Sequence, residues 1–192
     1  MLRAAALLVV AVAALASTAT ASPPVAAPAY FVQSGVDGTI LAQHGAGEPR
    51  AIASITKLMT VLVALRHLKL DDVVTVPRLA TRVGEASVPL RSGQKITVQE
   101  LVEAALIPSA NDAATTLAYA AGGGSVQRFV SWMNVEAHRL GLNETHFVTP
   151  HGLDRPGHVS SARDVVTLLR RLIVGFASAA RRSVTTSRAL ET

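Results

Sequence analysis

Residues 53–64 read ASITKLMTVLVA, an apolar run that opens on a serine and a lysine three positions apart. The run predicts a buried helix from Ser54 to about Leu68. Positions i and i+3 are neighbours on a helix, with Cβ atoms about 5–6 Å apart, so Ser54 and Lys57 share one face. A serine attacks only when a base removes its proton, and an apolar setting near a helix N-terminus lowers the pKa of a lysine. The pair is therefore a candidate nucleophile and general base.

The spacing alone is weakly specific, because the chain holds three lysines and two of them follow a serine by three residues. The second match, Ser92-Gly93-Gln94-Lys95, contains a glycine and precedes no apolar helix. We interpret it as a surface turn. The assignment of Ser54 therefore depends on other parts of the chain.

The N-terminus predicts export. Arg3 precedes the apolar run 4–16, and residues 19–21 (ATA) form a cleavage pattern of small residues. We predict a signal peptide over 1–21 and a proline-containing linker over 22–29, with an uncleaved membrane anchor as the alternative. The mature protein is then expected in the periplasm or another extracytoplasmic cell-wall space.

Composition excludes several classes of function. The chain has no cysteine, which excludes disulfides, thiol chemistry and thiolate metal sites. Its net charge of +5 comes with only 4% aromatic residues and no basic run interleaved with aromatics, so nucleic acid binding is not expected. The mild positive charge suits an anionic cell wall and suits simple solubility equally well.

The rest of the mature chain predicts one β-hairpin followed mainly by helices. Asp37-Gly38 marks a turn between the strand-like runs 30–33 and 39–43. Thr97 and Glu100 form a capping box before a helix. The other predicted elements are a strand at 73–76, an irregular segment at 78–96, and helices at 98–106, 112–121, 126–140 and 161–174.

A second motif, Ser109-Ala110-Asn111, lies between two predicted helices. A serine and an asparagine in such a connection can direct a hydroxyl and a carboxamide at one point, as a proton relay and an amide donor for a substrate. The alternative is that Ser109 or Asn111 simply caps the following helix.

Together, the Ser54 segment and the run 105–114 resemble the serine D-alanyl-D-alanine carboxypeptidases, the low-molecular-mass penicillin-binding proteins. The resemblance covers about residues 29–176. Its other segments are Met133-Asn134, Leu140-Gly141, Thr145-His146-Phe147, Pro150-His151-Gly152-Leu153 and Ser160-Ser161-Ala162-Arg163-Asp164.

The resemblance implies an α/β fold of the α+β type, like the serine β-lactamases and transpeptidases, with a helical region and an antiparallel sheet. It implies Ser54 as the acylated nucleophile, Lys57 as general base, Ser109 as proton relay and Asn111 as a substrate-binding residue. The substrate would be a peptidoglycan stem peptide that loses its terminal D-Ala, and β-lactams would occupy the same site. The resemblance implies no cofactor and no metal, and it leaves peripheral membrane association open.

The family's third motif, Lys-Thr-Gly on a later strand, has no match here, since none of the three lysines precedes Thr-Gly or Ser-Gly. We therefore interpret residues 30–192 as an incomplete catalytic domain without the C-terminal sheet strands. The chain as written is then expected to be poorly stable and inactive. The alternatives to a working carboxypeptidase are an inactive truncated relative and a wall-binding module.

Three other enzyme classes share part of this pattern. A class A β-lactamase needs a Glu-x-x-Leu-Asn loop, and neither Glu136 nor Glu144 has that spacing. A Ser-His-Asp hydrolase would need a Gly-x-Ser-x-Gly elbow, which the sequence lacks. A zinc carboxypeptidase would need clustered ligands, but His146, His151 and His158 have no acidic partner at ligand spacing. We expect these histidines to be structural or exposed to solvent.

Overall fold

The computed structural model of the protein describes residues 25–173. Its regular elements are β1 (Tyr30–Gln33), β2 (Ile40–His44), α1 (Thr56–Ala64), β3 (Val73–Thr75), β4 (Lys95–Thr97), α2 (Val98–Leu106), α3 (Asn111–Ala121), α4 (Val126–Arg139) and α5, whose described part covers 162–173. The predicted signal peptide, residues 22–24 of the predicted linker and the predicted end of the last helix at Val174 lie outside the described residues.

Helix α3 occupies the centre of the helical region and contacts α1, α2 and α4. Its sequence NDAATTLAYAA is rich in small residues, so neighbouring helices approach closely, and its side chains from Asn111 to Ala118 are buried. Phe129 and Met133 of α4 pack into the same core and are 0% exposed. This packing places the N-terminus of α3 beside the first turn of α1.

Two helix starts follow directly from local sequence. The predicted capping box is confirmed: the Thr97 side chain accepts a hydrogen bond from the Glu100 backbone, and the Glu100 carboxylate accepts one from the Thr97 N–H. Ser125 caps α4 in the predicted way, because its side chain accepts a hydrogen bond from the Arg128 backbone. Each cap satisfies backbone donors that a helix start leaves without a partner.

In the part of the chain that the structure describes, the strands form two separate antiparallel pairs, β1 with β2 and β3 with β4. The first pair is the predicted hairpin. The second corrects the prediction that 78–96 is irregular throughout, because β4 starts at Lys95 and pairs with β3. Ser92 and Gly93 do form an exposed turn, as expected, with Gly93 in the left-handed region at φ +84°.

Helix α5 holds the first hairpin in place through two arginines one heptad apart. Arg170 Nη1 donates to the Gln33 side chain at 3.2 Å and to the Ser34 carbonyl at 2.8 Å. Arg163 lies over the Phe31 ring, with its guanidinium carbon 5.7 Å from the ring centroid. The hairpin is thereby fixed to the side of the helical region.

The predicted first helix needs two corrections. Ser54 lies in a short 3-10 turn, Ala53–Ile55, and α1 proper begins at Thr56. The helix ends at Ala64 rather than near Leu68, because the chain turns over the next residues. Among residues 25–173, no helix combines the length and the apolar character that a membrane crossing requires.

Candidate active site

The turn before α1 presents Ser54 at the surface while α1 buries the lysine that follows it. Ala53 adopts a left-handed conformation, with φ 45°, and this sharp turn leads directly into the 3-10 segment. Ser54 is exposed, whereas Lys57 is only 1% exposed. A hydroxyl open to an incoming substrate therefore lies next to an amine that is shielded from water.

The Lys57 amine is the centre of the candidate site. Its Nζ donates to Ser54 Oγ at 2.9 Å, to Ser109 Oγ at 3.2 Å and to the His151 carbonyl at 2.9 Å. Burial lowers the pKa of Lys57 from 10.5 to about 8. Roughly one tenth of the amines are then neutral at pH 7, far more than for an ordinary lysine. The lysine is therefore poised to accept a proton from either hydroxyl.

Ser109 reaches Lys57 because of an unusual backbone conformation just before α3. Its φ of 61° is in the left-handed region, which non-glycine residues seldom occupy and which is often found at functional sites. Ser109 does not cap the helix, because the N-cap position of α3 is Ala110 and no side chain caps it. The structure thus brings Ser54, Lys57 and Ser109 into one hydrogen-bonded group.

Asn111 lies at the first position of α3, two residues beyond Ser109, and is buried. Its Nδ2 donates to the Gly84 carbonyl at 3.1 Å, and its backbone N–H donates to the Ala86 carbonyl at 2.7 Å. Within the described residues, the hydrogen bonds that its Nδ2 and backbone N–H donate thus go to the loop 84–90, and none joins Asn111 to Ser54, Lys57 or Ser109 directly. These bonds hold the loop 84–90 against the start of α3, two residues beyond Ser109.

Asp112 also fixes the loop 84–90, and the sequence motifs did not single it out. Its buried carboxylate accepts hydrogen bonds from the Val88 N–H at 3.2 Å and the Leu90 N–H at 3.1 Å. An acidic residue in the first turn of a helix usually indicates only a favourable interaction with the helix dipole. In the sequence, a role for Asp112 at this site is indicated by its position directly after the Ser109-x-Asn111 motif.

The loop 148–152 packs against the turn that carries Ser54. Gly152 has φ +87°, and a Cβ added there would lie 1.9 Å from the Ala53 carbonyl oxygen and 2.9 Å from Thr56 Oγ1. Only glycine allows this approach. This close packing places the His151 carbonyl within hydrogen-bond distance of the Lys57 amine. A pattern of side chains in the sequence cannot reveal a contact to a backbone carbonyl.

The three histidines of this region have different environments. His158 is 3% exposed and hydrogen-bonded within the core, and burial lowers its pKa. His151 is half-buried, and burial together with the nearby Lys57 charge lowers its pKa to about 4. His146 is exposed, with Nδ1 2.9 Å from the Gly157 carbonyl. Among residues 25–173, no group of three or more His, Asp or Glu side chains is arranged to hold a metal.

Comparison with known proteins identifies the family. A family model described as D-alanyl-D-alanine carboxypeptidase, peptidase S11, matches residues 16–188. The chain belongs to this family. The carboxypeptidase DacD of Salmonella typhimurium is 37% identical over 170 residues, which are 83% of this chain and 43% of that protein. Family membership agrees with the resemblance found in the sequence and does not favour the β-lactamase, Ser-His-Asp or zinc alternatives.

Solved structures of the family have the same fold. The crystal structure of DacD from Francisella tularensis matches with a TM-score of 0.78 and 32% identity, over 83% of this chain and 40% of that one. Penicillin binding protein 6B from Escherichia coli matches with a TM-score of 0.74 and 37% identity, over 79% and 51%. These likenesses confirm the expected α/β, transpeptidase-like fold class. The chain spans about half the length, or less, of these three relatives.

Proposed function

We propose that this chain carries the nucleophile, base and proton relay of a serine-type D-Ala-D-Ala carboxypeptidase, which removes the terminal D-Ala from peptidoglycan stem peptides. The observation that supports this most directly is the buried Lys57 amine, 2.9 Å from Ser54 Oγ and 3.2 Å from Ser109 Oγ. A serine beside a lysine of lowered pKa is an activated nucleophile. Membership of the carboxypeptidase family indicates the substrate.

In the proposed acylation step, neutral Lys57 takes the proton of Ser54 as Oγ attacks the carbonyl of the penultimate D-Ala. A bond forms between Oγ and the carbonyl carbon, and the resulting oxyanion is stabilised by backbone donors that include the Ser54 N–H. The C–N bond then breaks. Ser109 passes a proton from the Lys57 ammonium to the departing amine, and terminal D-Ala leaves.

Asn111 has a supporting part in the proposal. Its Nδ2 is held by the Gly84 carbonyl, which fixes the orientation of the carboxamide. In the part of the chain that the structure describes, the side-chain oxygen accepts no hydrogen bond and is not completely buried. We assign this oxygen as the acceptor of a hydrogen bond from a backbone N–H of the bound peptide.

In the proposed deacylation step, water attacks the acyl-enzyme, with Lys57 again as base, and releases the shortened peptide.

The proposed partners follow from the same chemistry. A β-lactam presents a strained amide that Ser54 would open, and the resulting acyl-enzyme would persist. We propose that the protein works outside the cytoplasmic membrane, where stem peptides are exposed. The supporting observation is the export pattern in residues 1–21.

Covalent labelling by a fluorescent penicillin tests the nucleophile. Under this proposal the unmodified protein becomes labelled and Ser54→Ala does not, whereas the inactive relative expected from the missing third motif would leave both proteins unlabelled. Ser92→Ala is a matched control, because Ser92 also precedes a lysine by three residues but lies in an exposed turn. This control should label like the unmodified protein.

Release of D-Ala from a stem-peptide analogue tests turnover. Labelling together with D-Ala release supports the carboxypeptidase. Rapid multiple turnover of a chromogenic cephalosporin without D-Ala release would favour a β-lactamase instead. If penicillin leaves the folded protein unlabelled at every concentration, the proposal is wrong, and the inactive relative or wall-binding module replaces it.

A further inference from the structure

Thr56 lies between the proposed nucleophile and base but points away from them, into the core. Its Oγ1 is 2.7 Å from His158 Nε2, and both residues are buried. The two residues are 102 positions apart in the chain, so this hydrogen bond is a long-range connection between α1 and the segment after the loop 148–152. The proposed reaction gives neither residue a chemical step.

The hydrogen bonds of His158 determine which ring nitrogen carries its proton. Its Nδ1 faces the backbone N–H of Val148 at 3.0 Å and that of Thr149 at 3.3 Å. Because a backbone N–H can only donate, Nδ1 must be the acceptor and carry no proton. In the neutral ring the proton is then on Nε2, which donates to Thr56 Oγ1. Burial lowers the pKa of His158, in agreement with a neutral ring.

His158 therefore holds the start of the loop 148–152, and the end of that loop reaches the site. Thr149 Oγ1 accepts a hydrogen bond from the Gly152 N–H at 3.1 Å, and Gly152 packs on the Ala53 carbonyl. Between them the His151 carbonyl accepts the 2.9 Å hydrogen bond from Lys57. These contacts link Thr56 through His158 and the loop 148–152 to Lys57, the residue that follows Thr56 in the sequence.

We propose that Thr56 and His158 are positioning residues, whose hydrogen bond holds the loop 148–152 so that the His151 carbonyl keeps the Lys57 amine directed at Ser54 and Ser109. The predicted effect on the reaction rate rests on the proposed function. The predicted change in the environment of Lys57 does not depend on that function. When the hydrogen bond is lost, the loop separates from α1, water reaches Lys57, and the amine is directed less closely at Ser54 Oγ.

The test compares three threonine variants. Thr56→Val keeps the side-chain shape and removes the hydroxyl, while Thr56→Ser keeps the hydroxyl. Thr116→Val is the matched control, because Thr116 is 0% exposed and its hydroxyl donates only locally, to the Asp112 carbonyl at 2.8 Å. A cooperative thermal transition establishes that each variant is folded. If Thr56→Val shows none, Thr56→Ala takes its place with the same expected results.

Two readouts separate positioning from simple destabilisation. The first is the titration of the lysine side chains by NMR, which is practicable because the chain has three lysines and Lys69→Arg and Lys95→Arg variants assign the signals. We expect the Lys57 midpoint to move up from about 8 towards 10.5 in Thr56→Val, to return in Thr56→Ser and to be unaffected in Thr116→Val. The second is the rate of acylation by penicillin. We expect a loss of about tenfold or more in Thr56→Val, and a rate within about twofold of the unmodified protein in the other two.

An unchanged Lys57 midpoint in folded Thr56→Val overturns the inference. So does an equal change in the Thr116→Val control, because that would indicate a general loosening of the helical core. If penicillin does not label the unmodified protein, the proposed function fails while the Lys57 titration still decides the positioning role.

Discussion

Replacing Gly152 by alanine tests whether the loop 148–152 and the turn Ala53–Ile55 are fitted to each other. Gly152 is buried, has φ +87°, and faces the Ala53 carbonyl so closely that an added Cβ would lie 1.9 Å from its oxygen. Real Cβ atoms essentially never come within 3.0 Å of such a neighbour, so the two segments must separate by about 1 Å. We therefore expect Gly152→Ala to destabilise the fold and displace Ser54.

The magnitude has two parts. The left-handed backbone costs an alanine about 1–2 kcal/mol relative to glycine. Forcing an extra methyl group into a packed site costs about 1–3 kcal/mol more. The total of about 2–5 kcal/mol is a large fraction of the free energy of unfolding of a typical domain, which is about 5–15 kcal/mol.

Gly93→Ala separates the two parts. Gly93 has nearly the same φ, +84°, but no heavy atom lies within 4 Å of an added Cβ. It should therefore show the backbone cost alone. Urea unfolding of both variants and the unmodified protein gives the comparison, and we expect Gly152→Ala to lose about 1–3 kcal/mol more than Gly93→Ala. Penicillin labelling should fall only in Gly152→Ala.

Equal losses of stability in the two variants would refute the reasoning, because the contact with Ala53 would then contribute nothing. If Gly152→Ala is destabilised but is labelled by penicillin at the normal rate, the expected displacement of Ser54 is refuted. In that case the loop would support the fold without affecting the position of Ser54.

Two further predictions concern ionisable groups that are buried or half-buried. Asp112→Asn should lower the free energy of unfolding in urea by about 2–3 kcal/mol, because the carboxylate accepts two backbone hydrogen bonds from the loop 84–90, and unchanged stability would contradict this. The free energy of unfolding should also fall as the pH drops from 6.5 towards 4, because the pKa of His151 is lowered to about 4 and that of His158 is lowered too. Both histidines then bind protons more readily in the unfolded state, so each makes the free energy of unfolding fall by up to about 1.4 kcal/mol per pH unit. A free energy of unfolding in urea that does not change over this pH range would contradict the lowered pKa values.

Features that depend on neighbouring residues in the chain could be predicted from the sequence. The Thr97 and Ser125 caps are local hydrogen bonds within one helical turn, and Ser54 meets Lys57 because three residues separate them across the 3-10 turn and the start of α1. Strand β4 could not be predicted in this way. It has three residues, too few for a period-2 pattern, and it exists because it pairs with β3, whose residues lie about twenty positions earlier.

The candidate site shows the same division. Ser109 was recognisable through its motif, but its contact with Lys57 depends on the packing of α3 against α1. The third partner of Lys57 is a backbone carbonyl, that of His151, and every residue type has one. A sequence pattern therefore gives no sign of it. His158 likewise has no motif of its own, since its role depends on two backbone N–H groups that only the folded loop presents.

The attachment of the β1–β2 hairpin to α5 has a consequence for behaviour in concentrated salt. Arg163 and Arg170 donate to the neutral side chains of Gln43 and Gln33 and to a backbone carbonyl, and within the described residues neither forms an ion pair. Added electrolyte screens the attraction between two full charges, and the Debye screening length falls to about 3 Å at 1 M. It has much less effect on a short hydrogen bond to a neutral group. The hairpin should therefore remain docked at ionic strengths that weaken surface ion pairs such as Glu48 with Arg50.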